Sequence, residues 1–264
     1  MSKDFFFVGN SQLITSILAQ YCNRQERQQI GKAWTENKDF YKGVFEFDGS
    51  INNFIACNMG LLGRPILDFK SQKIAANEGM FRLVEMIEDG KDTIVVMLRG
   101  NEFAEFCLID NPPKFDFSTI LSPATKGRQF VHSIDLAVYI KALTNPILAT
   151  SVMIKNKYPK REVVYVMPPP FPCDSHLLKQ HEFANLIRDY GLKPTQIRQK
   201  LYQMISEILS ADLKKLGINC LAAPSESLKE IGVLKKEYAH GAIHGNEKFG
   251  AALMKSLHAH FGTN

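Results

Sequence analysis

Short, continuous apolar runs alternate along this chain with longer segments of helical period. The runs at 5–8, 53–57, 93–98, 163–167 and 219–222 are rich in Val, Ile and Phe, the pattern of strands buried on both faces. A further run, 44–47, fits an edge strand or part of a loop. The clearest helix spans 194–216, where Ile197, Leu201, Met204, Ile205 and Ile208 fall on one stripe. Pro194 suits its first turn and Gly217 the position past its end. The same reading predicts helices over 13–21, 77–87, 133–143, 146–157, 175–190 and 246–260. This alternation predicts an α/β fold with a central, mostly parallel five-stranded sheet covered by helices on both faces. No repeat, low-complexity tract or linker interrupts it, so residues 1–264 read as one domain.

Composition narrows the class. With 45% apolar and 22% charged residues, the chain is ordinary globular material and not a disordered one. The net charge of +5 is spread along the sequence. The densest basic run, Lys155 to Arg161, reads more simply as a solvated helix end than as a nucleic-acid patch. The five cysteines (Cys22, Cys57, Cys107, Cys173, Cys220) are scattered, with no C-x-x-C pair and no metal-like spacing. That usage suits a reducing compartment. The N-terminal apolar run is too short for a signal-peptide core, and no run of about 18 apolar residues marks a membrane span. The expectation is a cytoplasmic protein with no membrane or nucleic-acid partner, no metal and no cofactor. Oligomeric state is not legible in the sequence.

In open α/β sheets, ligands collect at the carboxyl ends of the strands. Those ends carry small and polar residues here: Gly9-Asn10-Ser11, then Asn58, Gly60 and Gly63, then Gly100-Asn101-Glu102, then Pro168 to Pro172, then Ala223 to Glu226. His244 lies just before the last predicted helix, in a loop able to return to that edge. A serine nucleophile needs an adjacent base and donors where the oxyanion forms. Ser11, at a strand-to-helix turn, would offer its own backbone N–H. Taken singly, each residue has a plainer role: Ser11 a helix cap, Gly60 or Gly63 a turn, Asn101 a cap, His244 a structural residue. Asp174-Ser175-His176 with His181 is read as a helix start, not a metal site. Trp34, Phe40 and Tyr41 fit either burial under a long loop or the rim of a cleft.

The order of these elements changes the weighing. VGNSQL (8–13), NMG (58–60), RGNE (99–102) and IHGNEKFG (243–250) follow the block order of the SGNH, or GDSL-like, hydrolases, which this chain resembles over nearly its whole length. The resemblance implies a flavodoxin-like three-layer α/β/α sandwich. It implies catalytic residues Ser11 (nucleophile) and His244 (general base), with an oxyanion hole formed by Ser11, Gly60 and Asn101. The expected activity is a serine esterase on a small-molecule or carbohydrate ester, through an acyl-enzyme on Ser11. Acyl transfer would use the same residues.

Two positions depart from the family pattern. Asn10 stands where the family usually has Asp, beside the nucleophile. Gly241 stands three residues before His244, where the family usually has the Asp that orients the imidazole. Three readings stay open. Ser11 and His244 form a dyad; another acid (Glu237 as the candidate substitute, or Glu102 or Glu226) takes the Asp's place; or the chain is a catalytically impaired binding protein on a hydrolase scaffold.

Overall fold

The computed structural model describes residues 4–36, 40–71, 73–90, 92–100, 102–119, 123–230 and 232–261. Six strands form its central sheet: β1 (Phe5–Gly9), β2 (Tyr41–Phe47), β3 (Ser50–Ala56), β4 (Thr93–Met97), β5 (Val163–Val166) and β6 (Asn219–Leu221). They lie in the order β2-β3-β1-β4-β5-β6. The last five run parallel, and β2 pairs antiparallel with β3 at the edge. The sheet is therefore one strand larger than expected. The 44–47 run is a full edge strand, because a tight turn at Asp48-Gly49 folds it back on β3. Among the parallel strands the order is 2-1-3-4-5, the flavodoxin-like winding.

Alternation along the strands divides the core in two. Phe6, Val8, Ile94, Val96 and Tyr165 face one layer, with residues of α3 (Glu78–Met86), α4 (Ser133–Lys157) and α5 (Thr195–Lys215). Phe5, Phe7, Val95, Val164 and Val166 face the other, with α1 (11–21), Ile30 of α2 (Arg24–Glu36) and α6 (Glu247–Phe261). At roughly 25 cal/mol per Å² of apolar surface, two such buried faces on one sheet are the main source of stability.

Several elements differ from expectation. Segments 133–143 and 146–157 are a single helix, α4, running through Pro146. Leu136 and Ile140 before the proline and Ile147, Leu148 and Ile154 after it are all buried, and this burial on both sides outweighs the lost backbone bond. This helix is long and apolar enough to cross a membrane by length and composition. In the fold it is a core helix against the sheet and α5. Segment 175–190 is two short helices, Asp174–Leu177 and Ala184–Tyr190, because the chain reverses at Phe183, whose φ is +60°. Between the first helix and β2 lies α2 where a loop was expected. Phe40 is buried and Tyr41 stacks on Phe54, so both belong to the packing and not to a cleft rim; the Trp34 side chain lies outside the described residues.

Candidate active site

The nucleophile candidate is placed by the join between β1 and α1. Gly9 ends β1, and Ser11 opens the helix, where first-turn N–H groups have no intrahelical partner. Within α1, residues Ile14–Leu18 form a wider π-type turn. On the far side of the site, Ala239–His240 and His244–Gly245 pair as a short antiparallel hairpin turning at Gly241. Ser11 Oγ and His244 Nε2 lie 2.8 Å apart.

This approach is held by the nucleophile's own helix. Gly245 N–H donates to Gln12 Oε1 at 3.1 Å, and Thr15 Oγ donates to the Gly245 carbonyl at 3.2 Å. Behind them, α6 packs so closely on α1 that a Cβ at Gly250 would sit 2.6 Å from the Ser16 carbonyl. His244 is 8% exposed. Burial pushes its pKa below the ordinary histidine value, helped by His240, while Glu182 pulls the other way. The imidazole is therefore neutral near pH 7, the form a base requires.

The carboxylate facing His244 is none of those expected. Glu182 Oε1 lies 4.0 Å from His244 Nδ1, the ring nitrogen turned away from Ser11. Glu237, the expected substitute, is exposed, and it is its backbone carbonyl that accepts from Asn246 Nδ2. Glu226 is exposed as well. Glu102 is committed elsewhere: its carboxylate accepts from Arg99 Nη1 at 2.8 Å and from Gly100 N–H at 2.7 Å. Glu182 is 62 residues before His244 in sequence, so no local spacing could point to it. The only trace was the empty position at Gly241.

A cleft of about 510 Å³ opens beside this pair, lined by Asn10, Met59, Gly60, Gly63, Arg64, Arg99 and Glu102. Its floor is a polar bracket. Arg99, with φ at +68°, is held by Thr150 Oγ at 3.1 Å, by Glu102, and by the Gly63 carbonyl. Gly60, expected as a free oxyanion donor, instead gives its N–H to Asn58 Oδ1 at 2.9 Å, within the cap of the short helix Met59–Leu62. Gly63 ends that helix. Asn101 lies outside the described residues. Asn10 is 1% exposed, and neither end of its carboxamide has a hydrogen-bond partner among the described residues. His176 also takes part: its Nε2 lies 3.0 Å from the Gly241 carbonyl, so the helix start at Asp174 grips the histidine hairpin. Among the described residues no cluster of three or more metal-ligating side chains occurs.

The chain is similar in fold to solved lipases. An extracellular lipase from Streptomyces rimosus shares 13% identity at a TM-score of 0.47, covering 96% of this chain and 99% of that one. A phospholipase A1 from Streptomyces albidoflavus shares 10% at 0.45, covering 98% and 99%. A GDSL-like lipase from Bacteroides thetaiotaomicron shares 14% at 0.41, covering 97% and 85%. No family model and no curated protein matches the chain. The chemistry rests on the site's own atoms.

Proposed function

We propose that this protein is a serine ester hydrolase that works through an acyl-enzyme on Ser11. The observation that carries the reading is the 2.8 Å approach of Ser11 Oγ to a buried His244 Nε2, next to a cleft that Asn10, the residue before Ser11, helps to line. Two residues 233 positions apart, each at the carboxyl edge of the sheet, meet in the geometry of nucleophile and base.

In the reaction, Ser11 Oγ–H donates to His244 Nε2 as the oxygen attacks the ester carbonyl carbon. The Ser11 N–H at the helix start stabilises the developing oxyanion, and Asn10, its carboxamide without a partner among the described residues, lies on the cleft wall. The C–O bond to the alcohol then breaks, and the alcohol leaves with the proton from His244. Water enters and gives a proton to the same nitrogen as it attacks the acyl carbon. Release of the acid returns that proton to Ser11 Oγ. An acceptor hydroxyl in place of water gives acyl transfer by the same steps.

The substrate reading is a polar ester with a short acyl group, a sugar O-acetyl ester first. The cleft wall carries Asn10 and the charged groups of Arg64, Arg99 and Glu102 beside Met59, Gly60 and Gly63, and the polar groups give a sugar alcohol hydrogen-bonding partners. Arg99 and Glu102 neutralise one another. Arg64 has no ion-pair partner among the described residues, so negative charge on the substrate is favoured.

The test is labelling with a fluorophosphonate probe in wild type, Ser11→Ala and His244→Ala, followed by hydrolysis of short-chain aryl and sugar acetates. Labelling and hydrolysis should fall at least roughly a thousandfold in both variants. A folded wild type that neither labels nor cleaves any ester overturns the reading.

A further inference from the structure

We infer that Glu182 supplies the carboxylate that orients His244, and that Gly241 is the residue whose missing side chain makes room for it. The inference rests on the hydrolase reading for its catalytic meaning, but its geometry stands apart from it.

Glu182 belongs to the turn between the short helices Asp174–Leu177 and Ala184–Tyr190. Its carboxylate is anchored to the histidine hairpin itself, since Oε2 accepts the Ala242 N–H at 2.5 Å. That leaves Oε1 at 4.0 Å from His244 Nδ1. The same segment holds the hairpin a second time, through His176 and the Gly241 carbonyl. With Nε2 accepting from Ser11, the neutral ring carries its proton on Nδ1, and Glu182 is the anion on that side.

The space is decisive. A Cβ built on Gly241 would lie 2.5 Å from Glu182 Oε2, 2.9 Å from its Cδ and 3.0 Å from Oε1. Any side chain at 241 would displace the carboxylate. Position 241 is also where the resemblance puts the orienting Asp. One carboxylate has thus taken the room of another, reaching the imidazole from a different loop. Gly241 has φ at +62°, a conformation that Asp tolerates better than most side chains.

At 4.0 Å the pair makes no direct hydrogen bond, and Glu182 attracts the ring as an ion pair only when His244 is protonated. The Glu182 side chain is 41% exposed, so water screens it. Glu182 is accordingly a positioning residue whose loss should cost less than that of a buried, hydrogen-bonded triad Asp. The titratable groups facing His244 are Glu182 and, across the hairpin, His240.

The experiment compares wild type, Glu182→Gln and Glu182→Gln/Gly241→Asp. Gln keeps the size of Glu182 and its acceptor for the Ala242 N–H. Two readouts are taken: ester kinetics across pH, and titration of the His244 imidazole by NMR. Glu182→Gln should lower kcat roughly ten- to a thousandfold, below the ten-thousandfold of a buried triad Asp, with KM within about twofold of wild type. The His244 titration and the acid limb of the rate should both move to lower pH. Adding Gly241→Asp should recover at least about tenfold in kcat and move both back up. A kcat within about twofold of wild type and an unmoved His244 titration in Glu182→Gln would overturn the inference. The titration needs no turnover, so failure of wild type to react at Ser11 would sink the hydrolase reading separately.

Discussion

The Gln12 carboxamide accepts the Gly245 N–H at 3.1 Å, so the residue after the nucleophile holds the residue after the base. Nucleophile and base are thereby fixed to each other by their chain neighbours, independently of any substrate. Replacing Gln12 by Leu keeps the volume and removes the acceptor. The buried Gly245 N–H is then left unpaired, at a cost of about 1–3 kcal/mol. The expected result is a folded protein with lowered denaturation midpoint and a kcat reduced roughly tenfold, read by urea unfolding and steady-state kinetics. An unchanged kcat would mean that Thr15 alone suffices.

The burial of His244 sets the sign of the pH response. Its pKa lies below the ordinary value of 6.5, and catalysis needs the neutral ring. Activity should therefore be flat around pH 7 to 8 and fall along an acid limb centred below pH 6.5, as a kcat/KM profile would show. Stability should move the same way. The unfolded chain takes up the proton near pH 6.5, the folded chain only below it, so stability is full above 6.5 and declines as pH falls through the folded value. His258, also held down by burial, adds to that slope. Thermal melts at stepped pH would show it, and replacing His244 by Asn should make the slope shallower.

Gly250 is a contact point between layers, not a hinge. A Cβ there meets the Ser16 carbonyl carbon and oxygen at 2.6 Å, and backbone atoms cannot step aside as a side chain can. Gly250→Ala should lower stability by about 1–3 kcal/mol, the range for overpacking a close-fitted core. Because α1 carries Ser11, kcat should fall as well. A variant as stable as wild type would show that the two helices part freely.

Arg64 offers a cation to the cleft without a partner among the described residues. Arg64→Gln should raise KM for an anionic ester roughly three- to tenfold and leave a neutral ester of the same size nearly unchanged. Added salt should erase the difference. Equal effects on both esters would remove charge from the account of specificity.

Much of this fold is legible because buried parallel strands are short apolar runs, and each of those at 5–8, 93–98 and 163–167 lies within a residue of its strand. Polar or interrupted segments misled. Among the described side chains of Arg24–Glu36, Ile30 is the one buried aliphatic residue, so no stripe announced a helix. Pro146 looked like a boundary because sequence alone cannot weigh one lost bond against burial on both sides. Ser11 and His244 could be paired from block order, whereas Gly60 looked like a free donor until Asn58 was seen to take its N–H. Glu182 was beyond reach for a stated reason. The expected acids stood beside His244 in sequence or just after a strand (Glu237, Glu226, Glu102), and the one that faces it arrives from another turn.

That arrival by another route has a mechanical consequence. When acid and base share one hairpin, bond geometry fixes their spacing. Here the spacing depends on how the turn bearing Glu182 is seated against the hairpin, through Ala242 and His176. Any displacement of that turn would change the separation of Glu182 from His244, and with it the proton affinity of the imidazole.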